Sequence, residues 1–403
     1  MLPIYILILL FTYVQAENYV VALKHTEDLE SFKSYDLHQY PPQLQVMKHI
    51  SNSYSIGNLS AFSGNFSEEM IARLKRCPMV AEISPDIEVS MFDIDQQPEA
   101  PRHLARISRK HRMRPGKTYP YVFDNNYLGT KVNAYVIDSG VDIGHPEFQG
   151  RAQMGVDLTK EGAGDQNGHG THVAGLIGSY TYGVAKNVDI IEIKALNVRG
   201  AGSLSTIVEA LEFAVNHRRT SGRPGVANLS LGAYKNTVLN NMIEEAVKTG
   251  LVIVVAAGNS NTDACLTSPA SSKHAITVGA IDDYNDSIAH FSNWGECVDV
   301  FASGHSVQSA NAHNHDKSQV LSGTSMAAPI VSGLVANLLS EGFGPLEVKK
   351  KLIRLSTKNR IPKSSLFLRK KTPNRIAYNG ISEKVLDLMG SDGSSDGSSD
   401  DDE

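Results

Sequence analysis

Four polar residues stand where apolar runs of this chain break into small-residue turns: Asp138 in AYVIDSG, His169 in NGHGTHVAGLIGS, Asn259 in VVAAGNSN and Ser325 in LSGTSMAAP. Each has an ordinary structural reading. Ser325 could cap the helix implied by the apolar run after it, because a serine oxygen accepts from first-turn amides. Asp138 could form a turn, and Asn259 could be a left-handed turn residue. His169 and His172 could be metal ligands, but no glutamate of the HExxH kind accompanies them. The other reading uses the residues together. A serine hydroxyl at the positive end of a helix dipole becomes a nucleophile if a histidine takes its proton and a carboxylate orients that histidine. An amide donor such as Asn259 could then stabilise the negative charge on an attacked carbonyl oxygen.

Groups so far apart in sequence need a rigid frame to meet. From about residue 130, the β-branched runs KVNAYVID, VDIIEIKAL, GVANLSLG, GLVIVVAAGN and HAITVGAI alternate with the amphipathic LSTIVEALEFAVNHRR and TVLNNMIEEAVKTG. Continuous apolar strands separated by helices predict a parallel sheet covered on both faces, with sites at the carboxyl ends of its strands. Asp138 and Asn259 follow two such ends. Residues 17 to about 90 carry strand-like NYVVALK and MVAEISPDIEVSMF around helical SEEMIARLKR, a small α+β unit. The polar DIDQQPEAPRH between the two reads as an exposed linker.

The chain has 403 residues, of which 41% are hydrophobic and 20% charged, ordinary for a globular protein with a large core. Residues 1–16 are a short apolar run ending in small residues, as in a secretory signal peptide; an uncleaved anchor is the other reading, but the run is short for a membrane span. The last stretch, ISEKVLDLMGSDGSSDGSSDDDE, holds eight acids and one lysine, so the formal net charge of -5 leaves the remainder near +2. No basic field implies a nucleic-acid partner, and the runs Lys349 to Lys351 and Arg369 to Lys371 read as solvated faces. The Ser/Gly/Asp repeat of the tail cannot bury apolar surface and is expected to be disordered.

Asp138, His169, Asn259 and Ser325, in that order, resemble the subtilisin-like serine proteases, which show the chain order Asp, His, Ser. The similarity is to the proteinase K branch and runs over nearly all of residues 99–379. APRHLARIS, VIDSGVDIGHPEFQGRAQM, DQNGHGTHVAGLIGS, YGVAKNVDI, SPASSKHAITVGA, HFSNWG and SGTSMAAP carry it. The resemblance implies a parallel-sheet, three-layer α/β catalytic domain at 96–379, preceded by a small α+β inhibitor-like propeptide at 17–95 and followed by the acidic tail at 380–403. Ser325 is then the nucleophile, His169 the general base and Asp138 its orienting carboxylate, with no catalytic metal. Asn259 and the backbone amide of Ser325 supply the oxyanion donors. A catalytically dead binding protein is the rival reading, against which all four positions are intact.

By the same resemblance Gly200, Ala201 and Gly202, with Ser203, and Ser230, Leu231 and Gly232, with Ala233, hold a protein or peptide substrate as an added strand. Ala233 stands where the family usually has glycine. Leu231 and Ala233 do not match the kexin-like pattern, so broad specificity is expected, with a broad preference for apolar or aromatic side chains before the cut. The resemblance pairs Cys265 with Cys297 and sends Cys77 away with the propeptide. It also points to a calcium ion on the carbonyls of Lys273 and Ala275 and the Asp299 carboxylate, although Asp299 could be a turn acid. The sequons at Asn58, Asn65 and Asn285 are candidate glycosylation sites, whereas Asn228 lies in a cleft strand. The expected protein is a monomeric, secreted or wall-bound zymogen, with the vacuole as alternative. Its propeptide would serve as folding aid and inhibitor, laying DIEVSMF in the cleft for a cut between about Ser90 and Gln97. A permanent accessory domain is the alternative for that unit.

Overall fold

The computed structural model describes residues 17–24, 29–41, 45–86 and 94–381. The expected signal peptide, most of the product-like segment DIEVSMF and the tail from residue 382 lie outside the described residues. The chain divides into two compact units, residues 1–91 and 92–403.

In the first unit, a four-stranded antiparallel sheet runs in the order Ile50–Ile56, Leu59–Phe66, Glu17–Leu23, Val80–Pro85. The helices Leu29–Gln39 and Glu68–Leu74 contribute Phe32, Met70, Ile71 and Leu74 to its core, against Val21, Leu23, Phe62 and Phe66. Ser67 caps the second helix through its hydroxyl. Asp36 is buried in an ion pair with Arg73 at 2.7 Å, and the free thiol of Cys77 is buried beside this core.

The second unit is built on a ten-stranded sheet. Its parallel centre runs Ala152–Asp157, Asp189–Lys194, Asn133–Asp138, Gly225–Leu229, Val252–Ala256, Ile276–Asp282, Val300–Ser303. Strand alternation divides the side chains between two cores. Ala134 and Val136 face helices His169–Gly178 and Thr324–Ser340, while Tyr135 and Ile137 face Leu204–Ser221 and Thr237–Lys248. The result is a three-layer α/β domain. After Asn133–Asp138 the chain first builds strands on one side, then returns to add Gly225–Leu229 on the other. Ligands collect at such switch points, beyond the strand ends.

The linker reading of DIDQQPEAPRH is overturned from Ile94 onward. Ile94–Gln97 pairs antiparallel with Tyr121–Asp124, so the expected boundary between residues 95 and 96 falls inside a strand. Arg102–Ile107 is a short helix whose Arg106 makes a buried two-point ion pair with Asp286, at 2.7 and 3.1 Å. Arg102 donates to Asp283 at 3.0 Å and lies over the ring of Tyr284. The partners stand about 180 positions away in sequence, so local composition could not reveal them.

Candidate active site

Asp138 ends its strand fully buried, and His169 opens its helix with 28% of its side chain exposed. Asp138 Oδ1 accepts from His169 Nδ1 at 2.8 Å and from the Ser139 amide at 2.8 Å. That bond fixes the imidazole tautomer and leaves Nε2 as the basic nitrogen. Burial lowers the His169 pKa, but the charge and hydrogen bond of Asp138, with the charge of Asp165, outweigh it and raise the value above the ordinary 6.5. His172 does not join His169 at a metal. Its Nε2 donates to the carbonyls of Val307 and Gln319, and burial pushes its pKa down to about 4.

Ser325 is no N-cap: Gly323 holds that place, and Ser325 is the second residue of Thr324–Ser340. It is partly exposed in an otherwise buried first turn, and its Oγ donates to the Ser230 carbonyl at 3.2 Å. Pro329, four residues on, has no N–H to offer the Ser325 carbonyl. Ser230 Oγ donates to that carbonyl instead at 2.9 Å, and itself accepts from Asn228 Nδ2. Ser332 Oγ donates to Asn228 Oδ1, so a buried chain of polar groups ties the helix to the Gly225–Leu229 strand. Asn228 is therefore a buried bracket.

Asn259 Oδ1 accepts from the amide and hydroxyl of Thr324, both at 2.9 Å, which leaves Nδ2 available as a donor. A Cβ built on Gly323 would stand 3.4 Å from Asn259 Nδ2 and 3.6 Å from the Ser325 amide nitrogen. Two N–H donors thus border one small space that glycine leaves open. The turn before Asn259 needs Gly258, at φ +105°, where a Cβ would come 2.4 Å from Asn293 Nδ2. Asn293 braces this turn, accepting from the amides of Ser260 and Thr262.

Two separate parts of the chain match known families: residues 129–373 fit the Subtilase family model, and residues 18–92 fit the Peptidase inhibitor I9 model. The chain belongs to the subtilase family. It is a serine endopeptidase of the subtilisin-like kind, with an inhibitor-type amino-terminal domain. It is 40% identical to subtilase-type proteinase RRT12 of Saccharomyces cerevisiae over 93% of this chain and 84% of that one. Against cerevisin of the same yeast it is also 40% identical, over 82% of this chain but 55% of the relative. Subtilisin-like serine protease Rho m 2.0101 of Rhodotorula mucilaginosa is 40% identical over 80% of this chain and 98% of its own. Among solved structures, a cold adapted subtilisin-like serine proteinase matches with TM-score 0.63 and 38% identity, covering 70% of this chain and all of that one.

Two cavities lie beside these residues. Gly200, Ala201, Gly202, Ser230, Leu231 and Gly232 line one cavity of about 430 Å³ that also reaches His169. A second, of about 480 Å³, shares the Ser230–Tyr234 wall and reaches Asn259 and Ser325. Ser203 has another task, capping the Leu204–Ser221 helix through its Oγ. Ala233 and Tyr234 pair with Ser268 and Thr267. Leu196, Leu204, Ile207 and Leu239 add apolar surface to the first cavity, and no charged side chain lines the second.

Several supporting residues were not singled out from sequence. Buried Asp165 holds the turn before His169 by accepting from Ser139 Oγ, the Gly168 amide and both the amide and hydroxyl of Thr171. Lys194, at the end of its strand, donates to the carbonyls of Gly162 and Gly164 in the same loop. The DQNGHGTH motif contains Asp165, but its acid reads as an ordinary turn residue until its partners are known.

Cys265 and Cys297 are joined in a disulfide. The calcium expectation does not fit the structure. The oxygens expected to hold the ion instead receive the ammonium of Lys349, at 3.2 Å from the Lys273 carbonyl, 2.6 Å from that of Ala275 and 2.9 Å from Asp299 Oδ2. A divalent ion about 4 Å from that ammonium would be repelled by about 8 kcal/mol at an effective dielectric constant near 20. Lys349 is also only 30% exposed in its side chain, so the Lys349 to Lys351 run is not a uniformly solvated face. Among the described residues, no group of three or more His, Cys, Asp or Glu could hold a metal ion.

Proposed function

We propose that this subtilase is a secreted zymogen that cuts proteins beside apolar side chains through Asp138, His169 and Ser325. The observation that carries the reading is the 2.8 Å bond from His169 Nδ1 to buried Asp138, which leaves Nε2 as the basic nitrogen at the start of a helix that shares its core with the serine helix. Ser325 Oγ leaves the Ser230 carbonyl and attacks the substrate carbonyl as His169 Nε2 takes its proton; the same imidazolium then protonates the leaving amine. Asp138 stabilises the imidazolium. Asn259 Nδ2 and the Ser325 amide hold the oxyanion. The preference for apolar or aromatic residues rests on the uncharged lining of the second cavity and the leucines of the first.

The inhibitor-type unit is the reason to read a zymogen, since a protease must be restrained until it is exported. Ile94–Gln97 pairs within the second unit, which favours a cut before Ile94. The apolar leader supports export, to the exterior, the wall or the vacuole. Asn58, exposed in a hairpin turn, suits glycosylation, as do exposed Asn65 and partly exposed Asn285. Intact-mass analysis with a serine-directed phosphonate tests the whole reading. Wild type should start near Ile94 and take one label, while Ser325→Ala stays uncut, unlabelled and slower by about 10⁶, as a subtilase does without its nucleophile. Casein cleavage by Ser325→Ala at near wild-type rate would remove the triad assignment. Active wild type that retains Glu17 as its first residue would remove the zymogen.

A further inference from the structure

We propose that the Lys349 ammonium is a built-in cation that does permanently, at the Lys273–Ala275–Asp299 oxygen set, the work a bound metal ion would do. The oxygens come from two separate segments and converge on one nitrogen, two of them within 3.0 Å. Convergent carbonyl and carboxylate oxygens are the donor set of a hard cation. Here the cation is tethered to the helix Pro345–Leu355.

The tether is well seated. Val348 and Leu352, on either side of Lys349, are buried in the core, so the helix cannot withdraw the ammonium without uncovering them. The carboxylate is fixed as well: Asp299 Oδ2 accepts from the Thr277 amide at 2.9 Å, and the Asp299 amide donates to the Thr277 carbonyl. With one carboxylate and one ammonium the set is charge-balanced. A divalent ion added beside Lys349 would leave a net double positive charge, so the two cations exclude one another. The oxygens clamp the segment that leads from the cleft wall at Thr267–Ser268 to the strand Ile276–Asp282. A metal would make that clamp depend on calcium concentration by mass action, whereas a tethered ammonium does not dissociate.

The test compares calcium stoichiometry by equilibrium dialysis, with melting temperature, on full chains carrying Ser325→Ala to prevent self-digestion. The parent chain and its Asp299→Asn variant should bind the same number of calcium ions, because no ion sits on Asp299. Lys349→Ala should bind one more. Its melting temperature should fall by several degrees in EGTA and recover with calcium, and adding Asp299→Asn should abolish the gained ion. Lys349→Met, which keeps the apolar stem, serves if the alanine variant does not accumulate. Loss of an ion from the parent chain on Asp299→Asn would overturn the proposal. So would a neutral substitution at Lys349 that gains no ion, since the oxygens would then not form a cation site.

Discussion

Replacing Asp165 by alanine tests how the site is held, because this one carboxylate organises the turn that presents His169. It accepts from Ser139 Oγ at 2.9 Å, the Gly168 amide at 2.8 Å, and the Thr171 amide and hydroxyl at 2.8 Å each. The hydroxyls can rotate toward other acceptors. The amides of Gly168 and Thr171 are buried and cannot. Each orphaned buried donor costs about 1–3 kcal/mol, so the pair gives about 2–6 kcal/mol. For a domain of this size, that is a fall in melting temperature of roughly 3–10 °C. The assay is a thermal scan of Asp165→Ala against its parent, both carrying Ser325→Ala. A companion variant, Asp165→Asn in the active enzyme, retains an acceptor but removes the negative charge that helps raise the His169 pKa. Its acid limb in kcat/KM should move to lower pH. A melting temperature within about 2 °C of the parent for the alanine variant would refute the reasoning, since the two amides would then have found other partners.

The acid limb of kcat/KM in wild type should report a pKa above 6.5, since Asp138 and Asp165 outweigh the effect of burial on His169; a limb below 6.5 would contradict this. The stability effect has the opposite sense. A raised folded-state value favours the protonated form, so that contribution is full below the unfolded value of 6.5 and is lost as pH rises through the folded one. Thermal scans of the Ser325→Ala protein across this range, with and without His169→Ala, isolate it. Joining Cys265 to Cys297 closes a loop with a sequence separation of 32, worth about 4 kcal/mol in the chain-entropy model. The double variant Cys265→Ser, Cys297→Ser should lose about that much stability, and a denaturation midpoint equal to the parent's would contradict the estimate.

The chemistry-bearing positions were legible because each interrupts a strong local pattern. Asp138 ends a continuous apolar run, His169 stands between glycines at a helix start, and Ser325 precedes the long apolar helix. The parallel sheet was legible for the same reason: strands buried on both faces write themselves as unbroken β-branched runs. The strand Ala152–Asp157 was less so, because it lies at an edge and leaves Gln153 and Met154 exposed, which blurs the pattern. Ile94–Gln97 was misread as linker because its polar IDQQ gives no strand signal; pairing with Tyr121–Asp124 supplies the order instead.

Sequence by itself therefore determined the fold class and the two-unit organisation and singled out the residues proposed to do the chemistry, since those depend on local periodicity and turn composition. Tertiary structure alone decided what each polar group faces. It made Asn228, Ser230 and Ser332 a bracket under the serine, bound Asp165 to the histidine turn and buried Arg106 against Asp286. It also set the ammonium of Lys349 among oxygens expected to hold calcium. The physical reason is that a lysine or aspartate reads as solvated from its neighbours along the chain. Whether it instead becomes a buried partner depends on donors and acceptors that only folding brings within about 3 Å.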